Sequence, residues 1–143
     1  MVYLLAVAAG ASFVIQQAVN SNLRAEVGSA WWAGLISYVG GSLSMLAVIV
    51  LLREPAPTGR MIATSSLLSW TGGVFGAIYI AVSILLLPKL GTATVVALIV
   101  LGQMLGSLVF DHFGLFGVPV HEVTAARLAG AACLLLGVIL IRY

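Results

Sequence analysis

Five apolar stretches of about twenty residues, separated by short polar breaks, account for nearly the whole chain. They are Val2–Asn20, Ala30–Leu52, Ser66–Leu87, Thr92–Phe110 and Val123–Ile141. A helix needs roughly 20 predominantly apolar residues to cross the hydrocarbon core of a bilayer. Lipid offers no hydrogen bonds to a bare backbone, so only helices and closed barrels span it. Barrel strands alternate apolar and polar residues, whereas Leu43–Leu52 and Thr94–Leu101 are apolar without alternation. The expected fold is therefore all-α: a polytopic membrane protein with five transmembrane helices, in a single domain over residues 1–143. Composition agrees. Only 7% of residues are charged, against about 25% in a soluble domain, too few to coat a globule with polar surface.

The polar remainder excludes several classes of function. The net charge of +2 arises from scattered groups with no basic cluster, so nucleic-acid binding is not expected. Cys133 is the sole cysteine and cannot form an intrachain disulfide. Asp111, His112, His121 and Glu122 flank the fourth connection without tight ligand spacing, and no metal site is expected from them. There is no phosphate-cradling loop, nucleophile elbow or catalytic carboxylate pair, so neither an enzyme nor a cofactor is expected. The first span lacks a basic leader segment and reads as a retained helix rather than a signal peptide. Trp31, Trp32 and Trp70 near helix starts, with Tyr3 and Tyr143 at the ends, fit interfacial aromatic belts.

Basic residues orient a membrane chain, because cytoplasmic loops carry an excess of Lys and Arg. Here Arg53, Arg60 and Arg127 fall on the side of the N-terminus, and Arg24, Lys89 and Arg142 on the other. The balance leaves orientation undecided. A chain with an odd number of spans and no preferred orientation can insert both ways and meet its own inverted copy. The expected assembly is an antiparallel ten-helix dimer, an inverted repeat built from two chains.

Small residues at four-residue spacing allow close helix packing in lipid. Gly72, Gly73 and Gly76 supply such a face on the third span and Gly102 and Gly106 on the fourth. On the fifth, Ala125, Ala129, Cys133 and Gly137 form one ridge. Polar residues recur at the same spacing: Ser12, Gln16, Asn20 and Arg24 on the first span, Gln103, Ser107 and Asp111 on the fourth. Polar groups facing lipid are unsatisfied, so these stripes should face protein or a water-filled cavity. They read either as walls of a permeation route or as interhelical hydrogen bonds worth about 0.6–2 kcal/mol each. Asp111 and Arg127 lie on one side of the membrane, at the end of the fourth span and near the start of the fifth. They read as a salt bridge closing that hairpin, or as a protonatable coupling carboxylate beside its counter-ion. In an inverted dimer, Arg24 of one chain would share a membrane side with Asp111 of the other.

The motifs Gln16-x-x-x-Asn20-x-x-Leu23-Arg24, Ser37-x-x-Gly40-Gly41, Trp70-x-Gly72-Gly73-x-x-Gly76 and Pro88-x-Leu90-Gly91 occur in order. Gly102-Gln103-x-x-x-Ser107-x-x-x-Asp111-His112-x-Gly114 and Arg127-x-x-Gly130 follow. Over essentially the whole chain this pattern resembles the YdcZ-like family of bacterial membrane proteins, within the drug/metabolite transporter superfamily. The resemblance implies a multi-pass inner-membrane transporter with inverted repeats. The related small multidrug resistance proteins carry a membrane-embedded glutamate in their first helix; here the first span has no acidic residue, and Gln16 and Asn20 stand in its polar stripe. The expected function is small-molecule transport by alternating access in an antiparallel homodimer, with Ser12, Gln16, Asn20, Gln103 and Ser107 lining the pathway. The alternatives are a non-transporting assembly subunit that packs through its glycine faces, and one half of a paired heterodimeric transporter.

Overall fold

Each long apolar stretch becomes a helix, and its ends fall where capping groups sit. The computed structural model describes residues 1–142, so the expected belt residue Tyr143 lies outside the described residues. The helices are α1 (Val2–Val27), α2 (Ala30–Leu52), α3 (Gly59–Thr64), α4 (Gly72–Leu90), α5 (Thr92–Phe113) and α6 (Ala125–Arg142). Short 3-10 helices cover Leu67–Thr71 and Leu115–Gly117. Among the described residues there is no strand, and 5 helical segments are long and apolar enough to cross a membrane.

The boundaries differ from the apolar stretches where polar residues continue a helix. α1 runs on through Arg24 to Val27, supported by an Asn22–Glu26 side-chain hydrogen bond of 2.9 Å one turn apart. The first connection shrinks to Gly28 and Ser29. Gly28 takes the left-handed conformation (φ 72°), letting its N–H bond back to the Arg24 carbonyl, and Ser29 Oγ accepts from the Trp32 N–H to cap α2. Pro88-Lys89-Leu90-Gly91, the break between the third and fourth apolar stretches, is mostly helical. α4 passes through Pro88 and Lys89 to Leu90, and Gly91 (φ 79°) alone separates it from α5. The second connection is built from short pieces, with Thr58 and Ser66 capping short helices and Trp70 Nε1 donating to Ser65 Oγ at 2.8 Å.

Residue contacts divide the chain into two compact units, Met1–Pro88 and Lys89–Tyr143. In the first, the small face of α2 meets large residues of α4: Ala30 and Ala33 pack with Ile80 and Ile84, flanked by Leu23, Tyr38, Tyr79 and Leu85. A Cβ added at Gly34 would sit 3.3 Å from Ile80 Cγ2, and one at Gly76 would strike the Tyr38 hydroxyl. Close approach through small residues is how helices associate in lipid, where burial of apolar surface gives no drive. In the second unit α5 and α6 pack against each other, and their buried side chains are Val95, Leu108, Ala131 and Val138. Most of the helical surface stays uncovered; none of the most apolar part of α2 is buried.

The glycine faces are used unequally. Gly76 packs against Tyr38, but at Gly72, Gly73, Gly102, Gly106, Gly130 and Gly137 an added Cβ would meet nothing within 4 Å. Ala125, Ala129 and Cys133 on the α6 ridge are exposed.

Candidate functional site

An α-helix turns about 100° per residue, so a stripe at four-residue spacing drifts by about 40° with each step. From Ser12 to Arg24 the drift is about 120°, and the stripe does not remain on one face. Ser12 and Gln16 are exposed, Asn20 is buried and Arg24 is half-buried. The residue turned furthest inward is Gln17, with no exposed surface. Its Nε2 donates to the Tyr79 hydroxyl of α4 at 2.6 Å. Ser83, also buried, stands one turn further along α4 and donates to the Tyr79 carbonyl at 2.8 Å. The Tyr79 ring stacks obliquely on Phe13, with centroids 5.1 Å apart. Two atoms of this cluster, Gln17 Oε1 and Asn20 Nδ2, are buried without a hydrogen-bond partner.

Against this cluster lies a groove of about 700 Å³ within the first unit. Gln16, Ser37, Tyr38, Ser42 and Tyr79 supply its polar lining, and Met45, Leu46, Ile49 and Ile80 its apolar wall. No ionisable Asp, Glu, His, Lys or Arg lines it. Gln16, Ser42 and Tyr79 each lie within about one turn of the middle of their span. The groove therefore places amide and hydroxyl groups at the depth where water is scarcest. Tyr79 joins the two layers: it lines the groove, and its hydroxyl accepts from the buried Gln17.

Arg24 has a different task. In a helix the N–H of residue 88 would bond to the carbonyl of Ile84, but proline has no N–H. The freed carbonyl belongs to a residue with no exposed surface, and Arg24 Nη1 donates to it at 3.0 Å. The guanidinium at the end of α1 thus supplies the hydrogen bond that Pro88 removes from α4. Bare backbone carbonyls are not tolerated in lipid, and such replacement is what lets proline persist in a membrane helix.

In the second unit Asp111 and Arg127 form a salt bridge of 2.7 Å within one chain. Arg127 Nη1 also donates to the His121 carbonyl at 3.2 Å, and the His121 N–H donates to the Asp111 carbonyl at 2.8 Å. Side chains and backbone so close a ring across the loop between α5 and α6. Gly114 allows it: φ is +60°, and an added Cβ would lie 2.8 Å from a Val120 methyl. Gly114→Ala is expected to cost about 1–2 kcal/mol from the left-handed backbone alone, read as a lower unfolding midpoint in detergent. Gln103 and Ser107 of α5 are exposed, and Ser107 Oγ turns back onto the Met104 carbonyl at 3.0 Å.

The profile of a family described as "Putative inner membrane exporter, YdcZ" matches residues 1–140. The chain belongs to the YdcZ family. Inner membrane protein YdcZ of Escherichia coli (strain K12) is similar to it, with 26% identity over 133 residues that cover 92% of this chain and 87% of that protein. No solved structure matches it. This YdcZ-family member is a multi-pass inner-membrane protein.

Of the site residues expected in this YdcZ-family chain, Gln16 lines the groove, Asn20 lies in the buried cluster and Arg24 caps α4. Asp111 and Arg127 are brought together, while Ser12, Gln103 and Ser107 are exposed. Gln17, Tyr38, Ser42, Tyr79 and Ser83 complete the polar arrangement and were not singled out by stripe spacing. Two sequence signals mark the buried layer: Gln17 and Asn20 are three apart, and Tyr79 and Ser83 four apart. Both spacings place a pair on one helix face.

Proposed function

We propose that this chain is a small-molecule transporter working as a dual-topology antiparallel homodimer by alternating access, with residues 1–143 as one transmembrane domain. The observation that carries the transport reading is the groove near the middle of α1, α2 and α4, mostly apolar with amide and hydroxyl groups in its lining, uncharged and about 700 Å³ in volume. Transporter sites lie near the bilayer midplane, and pockets of this size hold drug-sized ligands. The family description supports movement of cargo across the inner membrane. Gln16 contacts the substrate, with Asn20 in the layer behind it. Gln103 and Ser107 mark a second polar surface, for which a second copy is the proposed cover. The balanced basic residues and the open glycines of α5 and α6 support that assembly.

A reporter fused to the C-terminus, active on one side of the membrane only, tests the dual topology. Paired fusions with cytoplasmic and periplasmic reporters are expected to give comparable signals. A single orientation removes the homodimer as proposed. The open glycine faces also suit a non-transporting assembly subunit; obligate copurification with another membrane protein, together with no substrate-dependent flux after reconstitution, would select that reading.

A further inference from the structure

Four side chains around the groove spend none of their hydrogen-bonding capacity on the protein. Gln16, Ser37 and Ser42 make no side-chain hydrogen bond among the described residues, and neither does the Tyr38 hydroxyl. Nearby polar residues behave differently. Ser44 turns its hydroxyl onto the Gly40 carbonyl at 2.9 Å, Ser83 does the same one helix away, and Gln17 bonds to Tyr79. A helical serine has a backbone carbonyl one turn back within reach; Ser37 and Ser42 leave it unused, as Ser12 and Ser21 of α1 also do. An unpaired polar group in a membrane interior is costly; four residues that carry one line this groove, the Tyr38 hydroxyl lying against Gly76.

We infer that this groove binds an uncharged amphiphile: a molecule with a hydrogen-bonding edge bearing both donors and acceptors, and an apolar body. The inference rests on the transport reading above and names the class of cargo. The Gln16 amide and the Ser37 and Ser42 hydroxyls can each donate and accept, so the edge is matched by amide, hydroxyl or ketone groups. Met45, Leu46, Ile49 and Ile80 form the wall for the apolar body. No ionised side chain lines the groove to compensate a charge brought to this depth. Anions therefore find no cation, and cations find only the faces of Tyr38 and Tyr79 in place of a carboxylate. The nearest residues along α1 do not change this, since the Arg24 guanidinium is engaged at the Ile84 carbonyl.

The class can be tested without knowing the natural cargo. Cys133 is the only native thiol and is exposed, so Cys133→Ala gives a thiol-free background for Ser42→Cys. Purified protein is treated with three methanethiosulfonates of similar size, carrying hydroxyethyl, trimethylammonioethyl or sulfonatoethyl groups. Each rate is divided by that reagent's rate with a free thiol in water. The uncharged reagent is expected to exceed both charged ones by at least about tenfold. Equal rates, a faster cationic or anionic reagent, or no reaction at all overturns the inference. Ser37→Cys, on the same wall, gives the same comparison if Ser42→Cys fails to fold. Labelling is read in detergent and needs no transport, so selective labelling in a protein that the reporter fusions show in one orientation keeps the ligand class and removes the homodimer; unselective labelling in a dual-topology protein does the reverse.

Discussion

Arg24→Ala is expected to lower the stability of the first unit by about 1–3 kcal/mol, the cost of leaving a buried carbonyl without its donor. Pro88→Ala in the same chain is expected to recover most of that loss. Alanine at 88 returns the N–H that a helix directs at the Ile84 carbonyl, and the guanidinium at 3.0 Å becomes redundant. The two residues are 64 positions apart in sequence and are linked only through Ile84, so additivity would be the default for unrelated sites. A double-mutant cycle from reversible unfolding in mixed micelles gives the coupling directly, with an expected value of about 1–2 kcal/mol. Arg24→Lys separates charge from geometry: a lysine can donate to the carbonyl only if its flexible stem reaches it, and loses the planar fork. Equal destabilisation by Arg24→Ala with Pro88 and with Ala at 88 would remove the capping role from Arg24.

The second large effect is expected at Asp111. Asp111→Ala strands the Arg127 guanidinium and opens the ring through His121, for an expected loss of about 1.5–3 kcal/mol, the range for hydrogen bonds to charged groups. Both side chains are partly exposed, at 36% for Arg127 and 22% for Asp111, which places the cost below that of breaking a fully buried pair. The reciprocal exchange, Asp111→Arg with Arg127→Asp, is expected to recover part of the loss. It restores the opposite charges but not the donation to the His121 carbonyl. Asp111→Asn keeps the shape and removes the charge, so it separates the two roles of the carboxylate. If the pair is a staple, the variant folds less stably and retains flux in proportion to folded protein. A fully folded Asn variant without flux would instead make Asp111 a coupling group.

The apolar stretches were enough to place five spans, and for α2 both ends coincide with them, because Ser29 and Arg53 change the chemistry abruptly there. α1 is longer than its apolar stretch because Asn22 and Glu26 pair along the helix, and hydropathy does not register polar helix formers. Pro88 reads locally as a turn. It remains helical because Arg24, 64 residues away, satisfies the Ile84 carbonyl that the proline leaves without a donor, and no local pattern contains that information. The site was half legible. Four-residue spacing identified Gln16 and Asn20, but helical drift moved the most buried polar position to Gln17. Ser37, Ser42 and Tyr79 join the site only once α2 and α4 choose their facing sides, a choice made by Ala33, Gly34 and Ile80 through shape rather than polarity.

The lack of ionised groups in the groove has an electrical consequence. Moving one elementary charge across a membrane potential of 100 mV is worth about 2.3 kcal/mol, and charged binding sites convert that field into a bias between conformations. A groove lined by amide, phenol and aliphatic groups contributes no such gating charge. In the transport reading proposed above, neutral cargo held there would add no charge of its own to the movement. The membrane potential would then act on that step only through charged groups outside the groove, such as Arg24, Asp111 and Arg127.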